Sequence, residues 1–192
     1  MVSEGTSLNE ETRCIAKFFN QYFGSDMSSL VFQEIREFRS LAYSAWGSFR
    51  IPFRLNEQGY TYSSLSTQSD KTYNALEAFD TLLNFMPEKP ERMENIRSSL
   101  IQSLSTSRPT FRGVSSTVSY WLKQGYIEDP RRKQLEYYKN ITFDDIMSFY
   151  RAQVKGKPLL ITISGETKRM NLEKLNKFGK VVDVKKDKIF TQ

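Results

Sequence analysis

The sequence predicts an α+β fold, a mainly antiparallel sheet with helices packed on it, and three observations carry that expectation. Apolar residues recur at three- and four-residue steps through most of the chain. Two runs alternate with period two on either side of the turn-forming Asn56-Glu57-Gln58-Gly59, and one short run, 159–163, is apolar throughout. With 192 residues and 39% apolar content the chain can build one ordinary core, so a single domain over 1–192 is expected.

Residues 1–7 are polar and are expected to be mobile, with Ser7 or Asn9 capping a helix through Cys14, Ile15, Phe18, Phe19 and Tyr22. Ser25 or Asp26 can cap the next helix, in which Met27, Leu30, Val31, Ile35 and Phe38 form one buried face. That helix carries Arg36 near its C-terminal end, and Ser40 follows. Residues 41–51 then read as a strand whose positions Tyr43, Ala45, Gly47, Phe49 and Ile51 share a face. Arg36 and Tyr43 therefore flank one helix-to-strand junction. The return strand, 60–67, has Tyr60 and Tyr62 on one face and makes an antiparallel hairpin with the first.

Asp70 can cap a helix marked by Leu76, Phe79, Leu83 and Met86, and Pro87 stops it. Pro90 suits the first turn of the next helix, striped by Met93, Ile96, Leu100, Ile101 and Leu104; the two are expected to form a helix pair. After Arg108-Pro109 the stripe resumes with Val114, Val118, Trp121 and Leu122, and Gly125 is the expected C-terminal cap. A short helix follows Pro130. Thr142 and Asp145 form a capping-box pattern ahead of Ile146, Phe149 and Tyr150. The apolar run 159–163 is expected as a strand near the sheet centre, with Gly165 turning the chain away. Leu172, Leu175 and Phe178 mark a last helix, and Val181, Val182 and Val184 a last strand.

Composition excludes several functions. The net charge of +6 is spread among acids, and even the densest basic stretch, 180–188, is interrupted by Asp183 and Asp187, so a solvated face is expected and no nucleic-acid interface. The 14 Phe and 10 Tyr fall at helical or strand spacing within apolar runs, which assigns most of them to the core. No stretch reaches the roughly 20 apolar residues of a membrane span, and residues 1–5 lack a signal-peptide pattern, so a soluble chain is expected. Cys14 is the single cysteine and reads as a core thiol. With no histidine the chain cannot build an inverted His-x-x-Glu-His zinc site or a histidine-based triad, and it is expected to carry no metal ligand and no catalytic residue of its own. Gly24 stands alone, so no glycine-rich phosphate loop is present.

The run Tyr22-Phe23-Gly24, Met27-Ser28-Ser29, Phe32-Gln33-Glu34-Ile35-Arg36-Glu37, Arg39 and Leu41-Ala42-Tyr43-Ser44 resembles the second, non-catalytic half of the pitrilysin/insulinase family of zinc metallopeptidases. Weaker likeness continues through Leu160-Ile161-Thr162-Ile163-Ser164-Gly165 and Leu172-Glu173-Lys174-Leu175. The resemblance implies a pitrilysin/insulinase-type C-terminal domain, truncated so that it lacks its first strands. It further implies a zinc-bearing homologous domain as partner, on the same chain or a separate subunit, and zinc only on that partner half. Peptides or unfolded polypeptides would be enclosed and positioned for hydrolysis there. Arg36 and Tyr43 would bind substrate: the guanidinium offers fixed donors to peptide carbonyls, and the phenol can donate to a developing oxyanion.

Against these roles stands a plainer reading, in which Arg36 pairs with Glu34 or Glu37 and Tyr43 is a packed strand aromatic. Gln33, Glu34 and Glu37 read as solvated flank residues, Arg39 as a partner of the helix C-terminus, and Ser28 and Ser29 as first-turn acceptors. A sheet edge lining a chamber could add an extended peptide as a strand. The alternative for the whole domain is a structural or assembly role in the same fold.

Overall fold

The computed structural model describes residues 1–25, 27–37 and 41–185; Asp26, Phe38, Arg39, Ser40, the side chain of Glu37 and the last part of the basic tail lie outside the described residues. Three strands, β1 (Val2–Ser7), β2 (Ser44–Arg50) and β3 (Gln58–Ser66), form one sheet in the order β1-β3-β2 with both pairings antiparallel. Around it lie α1 (Glu10–Phe23), α2 (Thr72–Asn84), α3 (Met93–Thr106), α4 (Val114–Gln124), α5 (Arg131–Asn140), α6 (Phe143–Gln153) and the single turn α7 (Leu172–Leu175). The mixed architecture and the β2–β3 hairpin agree with the sequence expectation.

The central helix α1 begins where Asn9 accepts a hydrogen bond from the Thr12 N–H at 2.9 Å. It packs on α6, β2, α5 and α3. Phe18, Phe19, Tyr22 and Phe23 are wholly buried, and their rings meet Tyr138, Phe149, Phe143 and Phe79 in edge-on or tilted contacts. The capping box of α6 is present as predicted: the Asp145 N–H donates to Thr142 Oγ1, and the Thr142 N–H donates to the Asp145 carboxylate. Gly125 ends α4 at φ 98°, a left-handed geometry that suits a residue without Cβ.

Several expectations are corrected. Residues 1–7 contain β1, which pairs with β3, so a strand does precede the first helix and the fold does not lack all of its leading strands. The run 159–163 is not a central strand: only Leu160 bridges, exchanging two backbone bonds with Val2 beyond the edge of β1, and its side chain is 70% exposed. The principal neighbours of α3 are α5 and α1, not α2, because its stripe meets the flank of the central helix. The predicted stripe of α4 faces outward, with Val114, Val118 and Leu122 exposed; among its residues only Gln124 is buried. Val181, Val182 and Val184 are exposed and form no strand. Many aromatics lie outside the core: Trp46, Phe53, Tyr60, Tyr62, Phe85, Phe111 and Tyr120 are all exposed.

Candidate functional site

The junction between α1 and β2 is built from close backbone approaches. Asn20, in the last part of α1, pairs its side-chain amide with both backbone groups of Phe49: Oδ1 accepts from the N–H at 2.6 Å and Nδ2 donates to the carbonyl at 2.9 Å. Gly24 then lies so near β2 that a Cβ on it would stand 2.2 Å from the Gly47 carbonyl oxygen. One face of the junction is thus locked to the strand.

The following segment differs from the regular helix that its sequence suggests. Leu30, Val31 and Ile35 are buried as predicted, but the turn widens into a π-helix over Phe32–Glu37, and Met27 is 77% exposed. This segment packs on β2, and the Leu41 N–H donates to the Ile35 carbonyl at 3.2 Å. Arg36 is exposed, with its guanidinium over the Phe32 ring at 4.8 Å. Tyr43 immediately precedes β2. Its N–H donates to the Ser66 carbonyl at 2.9 Å, which fixes the backbone, while the side chain is 83% exposed. Tyr43 is therefore not the packed strand aromatic of the plainer reading, although its parity with Ala45, Gly47 and Phe49 suggested one. It lies one residue before β2.

The neighbouring polar residues have structural partners. Glu34 pairs with Lys89 at 3.5 Å; Arg92 donates to Gln33 Oε1 and, at 2.9 Å, to the Ser28 carbonyl. Ser29 is buried and its carbonyl accepts from the Gln33 N–H. Tyr22, the first residue of the quoted motif, donates to the Pro87 carbonyl at 2.6 Å and accepts from the Lys89 N–H at 2.8 Å; burial pushes its pKa up to about 12. Cys14 is a buried thiol raised to about 11 by desolvation, an inert core group.

The donor set does not fit zinc. The sequence holds no histidine, and among the described residues no group of three His, Cys, Asp or Glu side chains is gathered closely enough to hold a metal ion. No described helix is long and apolar enough to cross a membrane.

A surface that period-two reading located only in part covers the outer face of the sheet. Trp46 and Tyr62 meet edge-on with ring centroids 5.0 Å apart, and Tyr60 is exposed beside them. Alternation placed Tyr60 and Tyr62 together; Trp46 joins them because β2 is paired so that Trp46 stands opposite Ser64 and Ser48 opposite Tyr62.

No curated protein matches the sequence. The solved peptidase M16 inactive domain of Pseudomonas fluorescens superposes with a TM-score of 0.63 at 12% identity, over 80% of this chain and 37% of that one. The inactive peptidase domain of a candidate zinc protease from Bordetella parapertussis superposes with a TM-score of 0.62 at 13% identity, over 82% of this chain and 91% of that one. A chain of complex III2 from Candida albicans matches with a TM-score of 0.54 at 15% identity, over 79% of this chain and 38% of that one. This chain thus spans little more than a third of the Pseudomonas and Candida chains and nearly all of the Bordetella domain. The family model of the peptidase M16 inactive domain matches residues 1–100, the part that contains the sheet, α1 and the Arg36–Tyr43 junction. The chain belongs to the peptidase M16 inactive-domain family.

Proposed function

We propose that residues 1–192 act as one non-catalytic domain that encloses peptide or unfolded polypeptide substrates and positions them for hydrolysis by a zinc site on a homologous partner domain, on the same chain or a separate subunit. The observation that carries this reading is that the side chains of Arg36 and Tyr43 are both exposed, with the Tyr43 N–H held by the Ser66 carbonyl. An exposed phenol on fixed backbone can be aimed at a group on another domain, and a guanidinium supplies donors for peptide carbonyls. In this reading Tyr43 donates to the oxyanion formed when zinc-bound water attacks, and Arg36 holds the peptide beside it. In this reading the metal and the general base lie on the partner, since this sequence holds no histidine to supply them.

The test is cleavage of a quenched fluorescent peptide by the zinc-bearing domain, assayed alone, with this chain, and with its Tyr43→Phe and Arg36→Gln variants. Activity should require this chain. Tyr43→Phe should lower kcat by about 100-fold, the usual cost of one oxyanion donor. Arg36→Gln should raise KM by about tenfold, as expected for a lost charged hydrogen bond. The second reading, a structural or assembly domain, is favoured by the likeness to a chain of complex III2. It takes over if cleavage is indifferent to both substitutions.

A further inference from the structure

α1, α3, α4 and α5 border an open cavity of about 610 Å³, within the range of small-molecule sites. Its lining includes Arg13, Lys17, Arg108 and Arg131 and not one Asp or Glu. A shallower recess shares Arg108 and Arg131 and adds Arg132, so its mouth is cationic as well. Lys17 is the unusual member. Among the described residues its ammonium contacts neutral groups, the Tyr138 hydroxyl at 3.0 Å and Gln134 Oε1 at 3.5 Å, and lies over the Tyr138 ring. Burial pushes its pKa below the ordinary lysine value.

The arginines are differently placed. Arg13 is buried and donates to the carbonyls of Arg54 and Phe53, which ties α1 to the loop after β2. Arg131 is paired with Asp129 at 2.9 Å and stacks over Trp121 at 5.2 Å. A partly desolvated ammonium with no carboxylate beside it among the described residues is costly, and an anion entering the cavity would relieve that cost. Leu100, Leu104 and Trp121 supply an apolar wall at the same time.

We propose that this cavity binds a small amphipathic organic anion, with its carboxylate or phosphate head drawn to Lys17 and the arginine-lined mouth and its apolar body against Leu100, Leu104 and Trp121. The site is separate from the Arg36–Tyr43 junction and does not depend on the peptidase reading. The test uses the full chain and 8-anilinonaphthalene-1-sulfonate fluorescence as reporter. Decanoate and decyl phosphate serve as competitors and decanol as the neutral control.

Saturable dye binding should be displaced by one or both anions at concentrations about tenfold or more below those needed of decanol, and the better competitor identifies the head group. Lys17→Met should weaken that displacement about tenfold, while Lys139→Met, outside the cavity, leaves it unchanged. Arg108→Gln at the exposed mouth gives an independent variant should Lys17→Met disturb folding. Displacement by decanol equal to that by the anions, unsaturable dye binding, or anion affinities untouched by both Lys17→Met and Arg108→Gln would each overturn the proposal.

Discussion

At the scale of single residues, α1 carries three groups with shifted titration, and one of them opposes the other two. Burial raises Cys14 from 9.0 to about 11, so the thiolate forms more readily in the unfolded chain. The stability tied to this thiol is fully present below pH 9 and is lost as the pH rises towards 11; two units amount to about 3 kcal/mol at most. Tyr22 adds a similar loss between 10 and about 12. Lys17 has the opposite sign: its amine is desolvated in the fold, so deprotonation relieves strain and offsets part of the decline as the pH approaches the ordinary lysine value of 10.5. Urea midpoints should therefore fall between pH 8.5 and 11, and in Cys14→Ala the fall should begin only above pH 10. A variant that tracks the parent through this range would show that the thiol is not the group responsible. The sequence identified Cys14 as a core thiol from its place in an apolar stripe. It gave no hint of Lys17, because a lysine among apolar positions reads as an ordinary exposed flank until Gln134 and Tyr138 of α5 are seen beside it.

At the scale of elements, what was legible was local. The Thr142–Asp145 box, the Gly125 cap, the buried Leu30, Val31 and Ile35, and the β2–β3 hairpin each depend on residues a few positions apart. β1 was missed because its core face is made of small residues. Ser3 and Gly5 face inward, and a Cβ on Gly5 would stand 2.5 Å from the Phe49 ring, so the apolar alternation that marks a strand is missing. The run 159–163 misled for the opposite reason: a continuous apolar stretch mimics a central strand, yet only one of its residues bridges the sheet.

The sheet edges were illegible too, since they are closed by side chains distant in sequence. Asn20 stands in for a strand beside Phe49, and Gln153 does the same at β1, accepting from the Thr6 N–H at 2.8 Å. Asn20→Leu removes both bonds at Phe49 and leaves a buried N–H and carbonyl without partners, an expected loss of about 2–4 kcal/mol in urea unfolding. Asn20→Asp keeps the acceptor but sets a carboxylate against the Phe49 carbonyl, and it should be no better than Asn20→Leu. A loss below about 0.5 kcal/mol in both would show that water replaces the amide at this edge.

At the scale of the whole molecule, the core is unevenly distributed. Leu8, α1, the inner face of the sheet, α2 and α6 supply most of the contiguous apolar cluster, including Phe18, Phe19, Phe23, Phe49, Phe79 and Ile146. By contrast α4 buries only Gln124, and between residues 159 and 185 only Leu175 is buried. Free energy of local opening follows the apolar surface that an element would have to expose, so these two regions should open without the rest. Native-state hydrogen exchange is expected to show α4 and the short α7 exchanging through local openings, with protection well below that of α1 and β3, whose slowest amides report global unfolding. The loss of α4 protection should not propagate to α1, since the helix is held at its end by the Leu55 N–H to Gln124 carbonyl bond and by the Phe53–Tyr120 contact rather than by the central cluster. Adding urea below the unfolding transition should leave the exchange rates in α4 nearly flat while those of α1 rise steeply, because the denaturant slope scales with the surface exposed in each opening. Equal protection and equal slopes in α4 and α1 would mean that the helices around the cationic cavity unfold as one unit with the core, and the cavity would then be as rigid as the sheet.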